Sequence, residues 1–430
     1  MLDGLQRDTF QYFVDEANPD NGLVPDNTRT TSPCSIAAVG LALACYPVAS
    51  ERGFMTRHDA ALRTRTTLRT FREGEQSEGA GAMGHRGFYY HFLDMETGRR
   101  AANSELSTVD SAFLFAGMLA CALYFDADDP VEAEIRTLAD FLYRRADWEW
   151  ARNGGATLTH GWRPERGFLP YRWLGYDEAL LLYFLALGSP THPIGADGYL
   201  EWERTYKWKR IYGIEFLYSG PLFIHHYSHV WVDFRGIQDA YMRGRGIDYF
   251  ENSRRAALIQ QQYAIRNPRG FEGYGEFVWG LTASDGPGPA KLVIDGVVRR
   301  FWDYIARGVP WGPDDGTISP WAVVASLPFA PGIVLPTIEH LIAEYPEIVN
   351  EHGFRCSFNP TYRLAPGCGD GWISEGYYAI DQGPKVLMIE NDRSGMLWEL
   401  MKRCPYLVRG LRRAGFRGGW LEAVASNPRP

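Results

Sequence analysis

Residues 106–122 read LSTVDSAFLFAGMLACA, and this stretch decides the fold because it is apolar on nearly every face of a helix. A second stretch of the same kind, residues 179–187, reads ALLLYFLAL. Helices without a polar face are buried all round, as in an inner ring of helices that an outer ring encloses. The two segments therefore indicate a closed, two-layered helical barrel.

Helical periodicity recurs along the chain and predicts about a dozen helices, the number that six helical hairpins require. The predicted helices are 5–16, 34–44, 56–72, 105–124, 130–146, 177–187, 200–209, 237–247, 251–265, 320–327, 336–344 and 384–402. The sequence thus predicts an all-α fold, an (α/α)6 barrel or toroid, formed as a single catalytic domain over residues 1–430.

Long loops rich in Gly, Pro and aromatic residues separate these helices, for example 79–90, 154–176, 212–234, 270–288 and 307–319. Loops of this length in a compact domain are usually functional or disordered, and the aromatic content argues against disorder. A few short strands are expected as well, because residues 291–301 combine Val and Ile with an Asp295-Gly296 turn.

Composition narrows the possible ligands. Aromatic residues make up 14% of the chain, with 14 Trp, 24 Tyr and 23 Phe. Their flat faces and polar edges suit sugar rings, although a large core also uses many aromatics. The net charge of −8 disfavours binding to a phosphate backbone, so nucleic acid is not an expected partner.

Cellular location and thiol chemistry follow from simple patterns. The six cysteines are scattered without a C-x-x-C pair and are expected to be buried free thiols, while Cys356 and Cys368 flank a loop and could pair.

The N-terminus lacks the basic and apolar regions of a signal peptide, and no apolar stretch is long enough to span a bilayer. The expectation is a cytoplasmic protein as written, without a membrane partner, or a periplasmic one if the chain is a mature form.

Glu178 is the first candidate for acid chemistry. Glycoside hydrolysis usually needs two carboxyl groups, one donating a proton to the leaving oxygen and the other acting as base or nucleophile. Glu178 ends an aromatic loop and opens an apolar helix, where desolvation would raise the pKa of its carboxyl. Alternatively, it is a first-turn acid that complements the helix dipole, which would lower that pKa. On pattern alone the second interpretation is favoured.

Asp110 is the second candidate. Val109 and Phe113 on either side suggest that it faces inward on a buried helix. Ser107-x-x-Asp110 also fits a capping box, with Glu105 in the preceding loop. The two interpretations are evenly balanced. Asp285 and Asp381, both expected in glycine-flanked turns, are alternative candidates for the base.

Two further segments predict sugar contacts. The first segment, residues 225–235, contains His, Trp, Asp and Arg close together in sequence. This pattern favours a polar wall for sugar hydroxyls, formed by His229, Trp231, Asp233 and Arg235. The pattern His225-His226-x-x-His229 lacks the glutamate that zinc proteases carry between the two histidines of their metal-binding helix. A metal site is therefore disfavoured, and no metal or other cofactor is expected. In the second segment, Trp279 precedes a Gly/Ser/Asp turn at Asp285 and is a plausible stacking platform, although an Asx turn would look the same.

In the same order along nearly the whole chain, several motifs resemble the bacterial glucoamylase-like domain, which includes the β-1,2-glucanases of glycoside hydrolase family 144. They are GYDEA at 175–179, YSHVWVDFR at 227–235, DYFENSR at 248–254, WGLTASDG at 279–286, DGTISP at 315–320, SLPF at 326–329 and IDQGP at 380–384.

The resemblance implies an (α/α)6 barrel and inverting hydrolysis without a metal or cofactor. It favours Glu178 as the general acid and Asp110 as its partner. The family pattern has Asn where this chain has Asp177, and an extra carboxylate there would raise the pKa of Glu178. The expected substrate-binding residues are Asp177, Tyr176, Glu105, His229, Trp231, Asp233, Arg235, Trp279, Asp285, Asp381 and Gln382.

The predicted function is therefore hydrolysis of a β-glucan, expected to be β-1,2-glucan or sophoro-oligosaccharides, with an oligo- or polysaccharide as the partner. Two alternatives remain open. The same site could transfer the glycosyl unit to another sugar, or the protein could bind a glycan without turnover. The chain length and anomeric form of the products distinguish hydrolysis from glycosyl transfer. The absence of turnover identifies a protein that only binds a glycan.

Overall fold

The computed structural model describes residues 1–364 and 371–425. Within this part of the chain there are 17 α-helices and two 3₁₀ helices, Leu222–His225 and Pro346–Ile348. The α-helices are α1 (Leu2–Asp15), α2 (Ile36–Glu51), α3 (Arg57–Glu73), α4 (Thr108–Tyr124), α5 (Pro130–Arg144), α6 (Trp148–Ala151), α7 (Leu180–Gly188), α8 (Ala196–Glu203), α9 (Tyr227–Trp231), α10 (Ala240–Arg245), α11 (Tyr249–Arg266), α12 (Pro320–Ala325), α13 (Pro331–Glu344), α14 (Ala379–Arg393), α15 (Met396–Lys402), α16 (Pro405–Arg413) and α17 (Gly419–Ala425).

The strands of the described residues are short and lie in the loops between helices. They are β1 (Cys34–Ser35), β2 (Gly84–His85), β3 (Phe88–Tyr90), β4 (Phe92–Leu93), β5 (Leu106–Ser107), β6 (Gly161–Arg163), β7 (Gly167–Phe168), β8 (Trp208–Ile211), β9 (Ile214–Leu217), β10 (Ala283–Ser284), β11 (Ala290–Ile294), β12 (Val297–Phe301), β13 (Ile305–Ala306), β14 (Val349–Asn350), β15 (Gly353–Phe354), β16 (Phe358–Asn359) and β17 (Trp372–Ile373). The largest sheet has the order β2-β3-β5-β6-β7, and the predicted hairpin at 291–301 is the pair β11–β12.

Six helices form the inner ring: α2, α4, α7, α9, α12 and α14. Nearly all their residues are buried, and in α7 every residue is, because the helix is apolar all round. α2 and α4 pack closely where two glycines meet. A Cβ added at Gly40 would lie 2.3 Å from the carbonyl oxygen of Phe113, and one at Gly117 would lie 2.1 Å from that of Gly40. Small residues at this crossing let the two backbones touch.

The outer ring consists of α1, α3, α5, α11, α13 and α16, each with one buried face. In α3 the stripe Ala60, Thr64, Thr67, Leu68 and Phe71 recurs every three or four residues and packs inward. Near the C-terminus, α16 packs on α7 of the inner ring, and the N-terminal helix α1 packs on α14. The predicted (α/α)6 barrel is confirmed.

Several predicted helix bounds were wrong. The helix predicted at 384–402 is two helices, α14 and α15, separated at Gly395, whose φ of 69° is left-handed. The one predicted at 200–209 ends at Glu203, and residues 208–211 form strand β8 instead. Cys34, Cys45, Cys121, Cys356 and Cys404 are buried free thiols, whereas Cys368 lies outside the described residues. No helix within residues 1–364 and 371–425 has the length and apolar content to cross a membrane.

Candidate active site

The inner helices begin at the same end of the barrel, where strands lead directly into two of them. β1 runs into α2 through Ser35, and β5 runs into α4 through Ser107; each of these serines caps its helix. Helix N-termini carry partial positive charge and favour nearby carboxylates. Glu105, Asp110, Glu178 and Asp381 lie at these N-termini, and we call this region the acidic end of the barrel.

Glu178 lies two residues before α7 and is partly buried. Burial raises the pKa of its carboxyl to about 8, aided by the negative charges of Asp177 and Asp110 and opposed by the positive charge of His91. The helix-dipole interpretation expected a first-turn acid with a lowered pKa, whereas Glu178 precedes Ala179, the N-cap of α7, and its pKa is raised. At neutral pH most Glu178 side chains carry a proton that can be donated.

Asp177 forms a turn just before α7. Its Oδ1 accepts hydrogen bonds from the backbone N–H of Ala179, at 2.9 Å, and from the indole Nε1 of Trp202, at 3.2 Å. Burial raises the pKa of Asp177 to about 7. The N-cap of α7 is Ala179, and no side chain caps the helix, so the Glu178 carboxyl is not used as a cap.

Asp110 combines the two roles that its sequence left open. Its backbone N–H donates to Ser107 Oγ at 3.3 Å, and Ser107 Oγ donates in turn to Asp110 Oδ2, so the capping arrangement exists. The side chain is 10% exposed, and its charge raises the pKa of Glu178. Ser107 therefore caps α4 through the Asp110 backbone, while the Asp110 carboxyl accepts from Ser107 Oγ and acts on the Glu178 carboxyl.

His91 lies between Asp110 and Glu105. Tyr90 pairs with Leu106 across the antiparallel strands β3 and β5, which sets His91 opposite Glu105 just beyond the ladder. Its Nδ1 lies 3.0 Å from Glu105 Oε1, and its Nε2 lies 3.8 Å from Asp110 Oδ2. Sequence reasoning missed His91 because a strand of three residues leaves almost no periodic pattern.

The opposite side of the acidic end carries Asp285 and Asp381. Asp285 Oδ2 accepts hydrogen bonds from Arg29 Nη2 at 2.7 Å and from Ser374 Oγ at 2.8 Å, so its charge is already paired. Asp381 is the third residue of α14 and not part of a turn. Burial raises its pKa to about 8, and the Cys356 thiol and the charge of Lys385 oppose that rise.

Two tyrosines border these acids and were not among the predicted site residues. Tyr304 is 46% exposed, and the charge of Asp381 contributes to raising the pKa of its phenol. Tyr227 is the first residue of α9, and the charges of Asp381, Glu178 and Asp110 contribute, after burial, to its raised pKa. Tyr227 was inside a recognised motif, but nothing in its neighbours distinguished it from a core residue.

The predicted stacking and hydrogen-bonding residues are mostly core residues. Trp231 and Trp279 are fully buried, and the Trp279 indole donates to Thr337, so neither offers a face to a sugar. His229 is buried against Ser253, at 3.0 Å. The predicted sugar contacts of these residues are wrong, because the inner helices enclose them.

Tyr176 and Gln382 are also corrected. The Tyr176 ring is buried between Tyr206, Tyr249 and His225, behind Glu178. Gln382 is buried and donates to the backbone carbonyl of His352 at 2.9 Å. Both residues support the acidic end from behind and do not face a ligand.

Asp233 and Arg235 lie at the other end of the barrel. They follow the C-terminus of α9, whereas the acidic end is formed by the N-termini of the inner helices. Asp233 is paired with Arg235 at 2.7 Å and with Lys402 at 2.9 Å, and the Arg235 guanidinium stacks over Trp398. The predicted polar wall beside the catalytic acids is therefore wrong.

The positions of the potential metal ligands were compared with the requirements of a metal site. Across residues 1–364 and 371–425, no three His, Cys, Asp or Glu side chains lie close enough to hold a metal ion. Within the 225–229 segment, His226 bonds to Ser326 at 2.9 Å and His229 to Ser253 at 3.0 Å. These histidines have hydroxyl partners and do not form a cluster of ligands.

Comparison with known proteins places the chain in a family. Residues 170–405 match the family model named Glycoamylase and described as "Putative glucoamylase". A Bacteroides uniformis protein whose crystal structure bears the same description is 32% identical and superposes with a TM-score of 0.86, and the match covers 97% of each chain. The chain therefore belongs to the glycoamylase family, as its motifs indicated.

Two relatives have described activities. The endo-β-1,2-glucanase from Chitinophaga pinensis, solved with sophorotriose and glucose, is 28% identical with a TM-score of 0.85, and the match covers 97% of this chain and 98% of that one. The exo β-1,2-glucooligosaccharide sophorohydrolase (non-reducing end) of Parabacteroides distasonis is 28% identical over 96% of this chain. The match spans only 57% of that second protein.

Proposed function

We propose that this protein is a glycoside hydrolase that cleaves β-1,2-glucan or sophoro-oligosaccharides with inversion. The observation that carries the proposal is the Glu178 carboxyl at the acidic end of the barrel, whose pKa is raised by burial and by the charges of Asp177 and Asp110. Relatives of the same fold act on β-1,2-linked glucosides, which supports this substrate class.

Glu178 is the general acid in this proposal. A proton donor to a glycosidic oxygen must hold its proton at the working pH, and a pKa of about 8 meets that requirement at neutral pH. Glu178 gives its proton to the leaving oxygen as the bond to the anomeric carbon breaks. The leaving sugar departs as an alcohol, and Glu178 is left as a carboxylate.

Asp110 is the general base. It takes a proton from a water molecule whose oxygen bonds to the anomeric carbon on the face opposite the leaving group. The imidazole of His91 lies 3.8 Å from Asp110 Oδ2, so a positive charge faces the carboxyl group that receives the proton. Among the alternatives, Asp285 is already neutralised by Arg29, and Asp381 holds a proton at neutral pH.

The direct experiment is incubation with a panel of β- and α-linked glucans, with the products separated by chromatography. Hydrolysis of β-1,2-glucan to short sophoro-oligosaccharides is expected. Products longer than the substrate would identify a transglycosylase instead, and binding without products would identify a glycan-binding protein. Cleavage of α-linked or other β-linked glucans with β-1,2-glucan left intact would overturn the proposed substrate.

The pH profile is expected to depend on Asp177. Activity requires protonated Glu178, so kcat/KM should fall as the pH rises through about 8. Because the Asp177 charge raises the pKa of Glu178, Asp177→Asn should move this alkaline limb to lower pH. The Asn oxygen can still accept from Ala179 and Trp202, so the fold should persist. An alkaline limb that stays in place in the variant would contradict the coupling.

Chelation is expected to leave the activity unchanged. Both steps of the proposed reaction use carboxyl groups of the chain, so hydrolysis of β-1,2-glucan should proceed at the same rate after dialysis against EDTA. The comparison sample is enzyme dialysed in parallel without the chelator. Activity that disappears with EDTA and returns with Ca²⁺ or Zn²⁺ would show that a metal takes part.

A further inference from the structure

His91 occupies a central position among the carboxyl groups of the acidic end. Its ring lies between Glu105, at 3.0 Å from Nδ1, and Asp110, at 3.8 Å from Nε2. Its positive charge also opposes the rise that burial causes in the pKa values of Asp26 and Glu178. One imidazole thus acts on four carboxyl groups, including both proposed catalytic ones.

The ring is held in place by contacts on several sides. It stacks on Phe92 with centroids 4.0 Å apart and planes 14° from parallel, and its backbone N–H donates to the carbonyl oxygen of Glu105 at 2.9 Å. Glu105 is itself fixed on its far side by Arg163, whose Nη2 lies 3.5 Å from Oε2. These contacts give the imidazole one orientation, with Nε2 towards Asp110.

His91 and Glu105 carry opposite charges at neutral pH. Burial alone would lower the pKa of His91, but the charge of Asp110 and the bond to Glu105 raise it to about 9, with a smaller contribution from Asp26. The hydrogen bond with His91 lowers the pKa of Glu105 to about 2. At neutral pH His91 is therefore an imidazolium hydrogen-bonded to the Glu105 carboxylate, and its Nε2 lies 3.8 Å from Asp110.

We propose that His91 is a positioning residue for hydrolysis: oriented by Glu105 and lying 3.8 Å from Asp110, its imidazole presents a fixed positive charge to the Asp110–Glu178 pair and sets the alkaline limit of the activity. This inference rests on the proposed function. It assigns His91 no contact with the sugar, and Glu105 becomes the residue that orients His91 and not one that binds substrate.

The pH dependence follows from the sign of the charge. A positive neighbour stabilises a carboxylate, and the charge of His91 opposes the rise in the pKa of Glu178, so losing that charge should raise the pKa of Glu178 further. The alkaline limb of kcat/KM depends on the protonated general acid, so this limb should move to higher pH in His91→Gln.

The experiment measures kcat/KM on β-1,2-glucan from pH 4 to about 10 for the wild type, His91→Gln and Glu105→Gln, with thermal unfolding of each. Glu105→Gln removes the carboxylate that orients His91 and should move the alkaline limb in the same direction by less. The matched control is His85→Gln, because His85 also faces a glutamate, Glu78 at 3.8 Å, and lies in the same sheet without contacting Asp110. The His85→Gln limbs should coincide with those of the wild type.

The outcomes separate the possibilities. A lower rate with unshifted limbs in both variants would show that His91 only stabilises the fold and would overturn the inference. If His91→Gln does not fold, Glu105→Gln alone decides, because the Glu105 side chain is 24% exposed and less important for folding. A wild type without hydrolytic activity would refute the proposed function, whereas an active wild type with unshifted variants would refute only the role of His91.

Discussion

Glu178→Gln is expected to lose about 10²–10⁴-fold in kcat on β-1,2-glucan while retaining most of its affinity for sophoro-oligosaccharides. The amide has the same size as the carboxyl group and can still hydrogen-bond a sugar, but it has no proton to give to the leaving oxygen. Single-turnover rates and calorimetric titration with sophorotriose measure the two effects separately.

The matched control for this variant is Glu203→Gln. Glu203 is another acid whose pKa is raised, to about 9, by burial and by the charge of Asp239, and it lies at the end of α8. If a raised pKa were only a general property of buried acids, both variants would behave alike. Near-normal activity is expected for Glu203→Gln, and a Glu178→Gln variant that keeps more than half of the wild-type rate would show that Glu178 is not the acid.

Asp110→Asn is expected to give the second large effect, a fall of about 10²–10⁴-fold in kcat, because an amide cannot take a proton from water. The fold should be little affected, since Asn has the same shape and the Ser107 cap on the Asp110 backbone N–H remains. Thermal unfolding and initial rates on β-1,2-glucan together check this expectation.

Ser107→Ala is the comparison that separates catalysis from capping. It removes the Oγ that caps α4 and should cost about 1 kcal/mol of stability while leaving the Asp110 carboxylate in place. Its activity should exceed that of Asp110→Asn by a wide margin. If Asp110→Asn loses stability but not activity, Asp110 is a capping residue only, and the base must be sought at Asp285 or Asp381.

The fold was predictable to the extent that burial is visible in the sequence. α4 and α7 have no polar face, and this property alone required a second layer of helices around them. The return of α16 onto α7 was not predictable, because it depends on contacts between distant parts of the chain. The division of 384–402 depends on one left-handed glycine, Gly395, whose conformation is set by the packing of the two helices.

The site was partly predictable for a related reason. Glu178 and Asp110 stood out because each is an acid at the start of an apolar helix. Trp231 and Trp279 were misjudged because local sequence does not show whether an indole faces a ligand or the core. His91 and Glu105 lie 14 positions apart and meet only through the pairing of β3 with β5, which a two-residue strand barely signals.

The most direct measurement of the account's central claim is the anomeric form of the first product, followed by NMR immediately after mixing enzyme with β-1,2-glucan. Glu178 as acid and Asp110 as base for water require attack from the face opposite the leaving sugar. The new reducing end should therefore appear first as the α-anomer and reach the equilibrium mixture only by mutarotation. A β-anomer at the earliest times would mean retention, and it would contradict this assignment of the two carboxyl groups.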